Sequence, residues 1–142
     1  MVKKDVVLEV LNSLVKDGRI FPEDVVESAR DESSPIHNKF EWDDTTAAQE
    51  YRIWQARQLI TIKFTINGGE TQEFFNVRVD INNVPVQGYF TKEKVLSDKK
   101  MYAQVLKDAV DEIVYWQKKY KSIEELEGVI DEERLVQVQA SI

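Results

Sequence analysis

The residues whose types could do chemistry crowd into one stretch, residues 33–60, SSPIHNKFEWDDTTAAQEYRIWQARQLI. It holds the only histidine, two of the three tryptophans, a run of carboxylates and two arginines. His37, Glu41, Asp43 and Asp44 are the set from which a hard cation would draw several carboxylate oxygens and one imidazole nitrogen. Their spacing matches no established metal loop, and carboxylates ahead of a helix serve equally as caps. Neither a metal nor any other cofactor is therefore expected. Glu41 paired with Asp43, Asp44 or Glu50 is also raw material for acid–base hydrolysis. A metal-dependent hydrolase built on His37 and these acids is accordingly one alternative reading.

Nucleophilic catalysis has less to work with. There is no cysteine, one histidine and no nucleophile-elbow pattern. Gly68-Gly69 is a hairpin signal and not a phosphate loop. The expectation is a protein that is not an enzyme.

Basic residues raise a second alternative. Lys63, Arg78, Lys92, Lys94, Lys99 and Lys100 are candidate phosphate contacts, and Arg52 and Arg57 flank Trp54. The net charge of -7 opposes this, because phosphate binding draws on a positive field. In so acidic a chain, Arg57 is expected to pair with an acidic neighbour.

The elements that must position these residues can be read from spacing. Residues 5–17 read as a helix with Val7, Val10, Leu11 and Leu14 on one side, ended by Gly18. Pro22 opens a second, short helix with Glu23 and Asp24 in its first turn. Together they make an N-terminal helical hairpin, residues 1–31. Ser34-Pro35 starts one turn running to Phe40. Thr46 with Gln49 makes a capping box for a helix over residues 45–59. That helix carries two apolar arcs, one with Ala47, Ala48, Tyr51, Trp54 and Leu59, the other with Ile53, Ala56 and Ile60. A helix apolar on two sides is sandwiched, with one side expected on the sheet and the other on a helix or a partner chain.

Strands follow. Residues 61–66 alternate, Asn67-Gly68-Gly69 turns the chain, and residues 75–81 and 86–90 alternate again around Asn82-Asn83. This predicts a three-stranded antiparallel meander. Ser97 or Asp98 begins a long helix to residue 120, with Val105, Ala109, Ile113 and Trp116 as its main stripe. Ser122 with Glu125 suggests another capping box, closed by Gly128. Residues 129–142 form a tail, frayed or waiting as an edge strand, with Val136 and Val138 on its apolar side.

From residue 45 the order helix, three strands, helix resembles the double-stranded RNA-binding domain, with Lys99-Lys100 where that family grips phosphate. The acids Asp108, Asp111 and Glu112 on the last helix depart from it. A more specific likeness lies in Ser34 to His37, Phe40 to Asp44, Ala47-Ala48, Tyr51-Arg52 and Gln55 to Arg57. These match in order a family of uncharacterised proteins from tailed phages and prophages that reads Ser-Pro-Leu-His, Phe-Glu-Trp-Asp-Asp, Ala-Ala, Tyr-Arg and Gln-Ala-Arg. The segment from Val95 to Leu126 is similar to that family's closing helix. The resemblance implies a phage-encoded protein of the host cell cytoplasm and carries no functional residues with it.

The expected architecture is one α+β domain. A three-stranded antiparallel sheet is covered by two longer helices, residues 32–128 forming an α-βββ-α core. No segment is apolar enough to span a membrane. The expected function is that of a non-enzymatic, self-associating interaction protein in phage or host DNA transactions. Its interface would be Ile53, Ala56, Ile60, Val136 and Val138. Its partners would be further copies of itself, a host or phage protein, and possibly nucleic acid.

Overall fold

The computed structural model describes residues 2–43, 48–66 and 69–142. Helix α1, Val2–Ser13, stops short of Gly18. Lys16 and Arg19 instead exchange both backbone hydrogen bonds across Asp17 and Gly18, which have φ of 52° and 77°. Two left-handed residues in succession make the tight turn whose twist suits a hairpin. Gly18 is thus a hairpin residue and not a helix cap. The turn delivers a two-residue strand, β1, Arg19–Ile20, ahead of α2, Pro22–Ala29. Pro22 opens α2 as its composition predicts.

A single 3-10 turn, His37–Lys39, leads towards α3, Ala48–Thr61. The capping box expected at Thr46 lies outside the described residues. Strand β2, Lys63–Ile66, pairs with β3, Gly69–Gln72, as a separate two-stranded sheet. Strand β4, Phe74–Ile81, pairs with β5, Val84–Thr91, around Asn82 and Asn83, both left-handed. The expected α+β class with a three-stranded antiparallel sheet is present, but the sheet order is β1-β5-β4. Residues 63–66 are not in it: residues 69–72 take their pairing edge, and β1 takes the free edge of β5. The expected α-βββ-α order is accordingly replaced by four strands in two sheets between the helices.

Helix α4, Lys92–Ser97, is capped by Thr91, and α5, Lys99–Lys119, by Asp98, whose carboxylate accepts from the Lys100 and Met101 amides. A 3-10 turn, Glu124–Leu126, has no side-chain cap, so the Ser122 capping box does not form. The terminal segment is helix α6, Glu132–Ser141, started by the Asp131 carboxylate. The edge-strand reading of residues 129–142 is overturned. The alternation there is too short to outweigh an aspartate cap and a first turn with Glu132 and Glu133, and Leu135 turns inward on the helix.

The main core joins Val7 and Leu11 of α1, Ile20, Val25, Val26 and Ala29, then Ala56, Leu59 and Ile60 of α3, to Phe64 and Phe74. The N-terminal hairpin is therefore part of the core. A smaller cluster, Val77, Phe90, Val95 and Met101, ties the sheet to α4 and α5. No described helix is long and apolar enough to cross a membrane.

Candidate functional site

The stretch that concentrates reactive side chains is built around Trp42. Its indole stacks on His37, ring centroids 5.0 Å apart and 6° from parallel, and tilts against Phe40 at 5.8 Å. Two guanidiniums lie near it, Arg52 at 4.9 Å and Arg30 at 5.6 Å from the ring centroid. The indole N–H donates to the His37 carbonyl at 2.7 Å. His37 Nδ1 lies 2.7 Å from the Ala29 carbonyl, which can only accept, so this nitrogen carries the proton. The loop is therefore clamped to the end of α2 by His37 and to α3 by Arg52.

Arg52 is 3% exposed. Burial of a guanidinium needs partners for its donors and a favourable face for its charge. Nε donates to the Glu41 carbonyl at 2.8 Å, and the Trp42 ring supplies the face. Gln55 accepts the Glu41 amide at 3.0 Å, and Arg30 reaches Gln49 at 2.9 Å. These contacts order α3 against the loop.

The arrangement keeps Ala48 and Leu59 of the first expected arc inside but turns Tyr51 and Trp54 of that arc outward. Ala48, Arg52, Ala56, Leu59 and Ile60 are buried, while Tyr51 and Trp54 are 49% and 52% exposed and stack on each other at 5.8 Å. Ala56 and Ile60, assigned from sequence to a partner interface, lie wholly inside this chain, and Ile53 packs against the same core. They are corrected to core residues. The remaining interface candidates lie on α6, with Val136 61% exposed and Val138 partly buried.

Of the metal set, His37, Glu41 and Asp43 are among the described residues. His37 commits Nδ1 to a backbone carbonyl, and the Glu41 carboxylate accepts the Asp43 amide at 3.1 Å. Among the described residues no group of three His, Cys, Asp or Glu could hold an ion, and Asp44 lies outside them. Lys92 pairs with Glu73 at 3.1 Å, Lys94 packs its side-chain carbons over Gly18, and Arg78 reaches Gln87 at 3.3 Å. Lys99 and Lys100 stand exposed at the start of α5. Lys63 is in β2. Arg57 pairs with no carboxylate among the described residues, against expectation.

One surface was missed. Tyr102, Leu106, Ala109, Ile113 and Trp116 on α5, and Tyr120 just after its end, follow one another at alternating steps of four and three. That is the seam of a helix-to-helix contact. None of the six is buried: Leu106, Ile113 and Trp116 are partly covered, and Tyr102, Ala109 and Tyr120 are exposed. Helix α6 runs back along α5, with Gln117 donating to Glu132 at 3.0 Å and Ile142 beside Leu106, yet it leaves this seam only partly covered. The signal was in the sequence as a stripe through Val105, Ala109, Ile113 and Trp116, but was assigned to covering the sheet. Comparison of the chain with family models, curated proteins and solved structures finds no match.

Proposed function

We propose that this protein is a non-enzymatic interaction protein that self-associates through α5, and that it acts in phage or host DNA transactions. The observation that supports self-association is the partly covered seam from Tyr102 to Tyr120, with Tyr102, Ala109 and Tyr120 exposed. Such a seam gains most by meeting an equivalent helix, and a second copy supplies one. The phage setting and the cytoplasmic location rest on the sequence motif at residues 34–57 alone. Light scattering over a concentration series tests the association. Dimers or larger species are expected, reverting to monomer on Ala109→Glu, a change at an exposed helical position. A strict monomer at every concentration would remove the reading.

A further inference from the structure

We propose that the cleft between β1, the start of α2, α3 and β5 binds a small oxyanion, the phosphate or carboxylate group of a small ligand. The cleft is about 430 Å³ and is walled by Arg19, Phe21, Glu23, Arg57, Asn76 and Tyr89. This site is independent of the α5 seam.

The Arg19 guanidinium is held in one place. It lies 4.3 Å from the Phe21 ring centroid and 5.6 Å from that of Phe90, and Nη2 donates to the Gln87 carbonyl at 2.8 Å. Gly88 makes that position possible, since a Cβ there would run into Arg19 Nε. Nε–H is buried and has no acceptor among the described residues, which carries a desolvation cost. Nη1 makes no hydrogen bond among the described residues and is not buried, so its donors face water. A fixed guanidinium with free donors is preorganised for an oxyanion, because little side-chain entropy is left to lose.

The charge balance points the same way. Neither Arg19 nor Arg57 lies within ion-pair distance of a carboxylate among the described residues. With Glu23 as the one acid on the wall, the cleft carries a net positive charge in a chain of net charge -7. Tyr89 adds a hydroxyl. Burial raises its phenol above the ordinary value while Arg57 draws it back, so it is a protonated donor at neutral pH. The Asn76 amide adds a further donor on the same wall. A cation would be repelled here, and an apolar ligand would leave these donors unpaired.

The test is an NMR titration of the full chain with sodium phosphate and, separately, sodium acetate, at ionic strength held constant with chloride. Saturable shifts of the Gly88 and Tyr89 amides and the Arg19 Nε–H are expected. Arg57→Gln and Arg19→Lys should each weaken binding at least tenfold, while Arg78→Gln on β4 leaves it unchanged. Phosphate saturating at lower concentration than acetate would mark a phosphate-bearing ligand, and the reverse a carboxylate-bearing one. Should Arg19→Lys lose its folded spectrum, Arg57→Gln decides, since Arg57 is exposed. Shifts that never saturate, or that persist in Arg57→Gln, would overturn the proposal and leave Arg19 as a lid over Gly88.

Discussion

Helix α3 has 14 residues and α5 has 21, yet α3 buries five side chains and α5 only Met101 and Val110. The shorter helix has the poorer separation of apolar and polar residues and even buries an arginine. The longer one segregates its apolar residues well and leaves most of them half-covered. The difference teaches that amphipathicity reports what a helix needs, whereas burial reports what the rest of the chain provides. For α3, the provision comes from α1, α2 and the Trp42 loop. For α5, the sheet and α6 provide only part of it.

This contrast can be broken most sharply at Ile60. Truncation to Ala in this closed core should cost about 2–5 kcal/mol in urea unfolding, because the cavity cannot collapse. Ala109→Glu on α5 should change the stability of the dilute protein by no more than about 0.5 kcal/mol, as exposed positions do. Equal losses at the two positions would mean that α5 is covered as well as α3. Next comes Arg52→Leu, which removes the Glu41 hydrogen bond and the contact with Trp42. It should cost about 1–3 kcal/mol, and more than Trp54→Ala on the opposite face. If Trp54→Ala is the costlier change, the facing of α3 is wrong.

The smallest expected effect concerns pH. The Ser33 amide and then its hydroxyl hold the Asp31 carboxylate below its ordinary value of 3.8. A lowered folded pKa stabilises above the unfolded value, and that contribution is lost as pH falls through the folded one. Asp31→Asn should therefore flatten the acid decline of stability below about pH 4 and matter little to the slope above it. Lys107 has the opposite sign. Its hydrogen bond to Asp111 raises it above 10.5, so its contribution is present below that value and lost as pH rises through the folded pKa. Lys107→Gln should flatten only the alkaline limb of the same stability curve. A change confined to neutral pH in either variant would contradict these assignments.

Much of the local structure was legible in the chain. Pro22, Asp98 and Asn82-Asn83 are signals that act within a few residues, so their elements appear where composition places them. Asp17-Gly18 was misread because one glycine can end a helix or turn a hairpin, and Arg19-Ile20 is too short to show a period. The candidate site was legible as a location but not as a chemistry. His37, Trp42 and Arg52 do come together, but as a clamp on α3, and Arg19 with Arg57 required two segments 38 residues apart in the chain to meet.

By itself the sequence determined the α+β class, the starts of α2 and α5, the turn at Asn82-Asn83 and the acidic surface, because caps, turn residues and charge act over short range. Tertiary structure alone decided which side of α3 faces inward, which strands share a sheet and which apolar stripe stays open. Those outcomes depend on what is brought near from elsewhere. Arg52 is buried because the Glu41 carbonyl and the Trp42 ring meet it, and Trp54 stays half exposed with Tyr51 of its own helix as its ring partner.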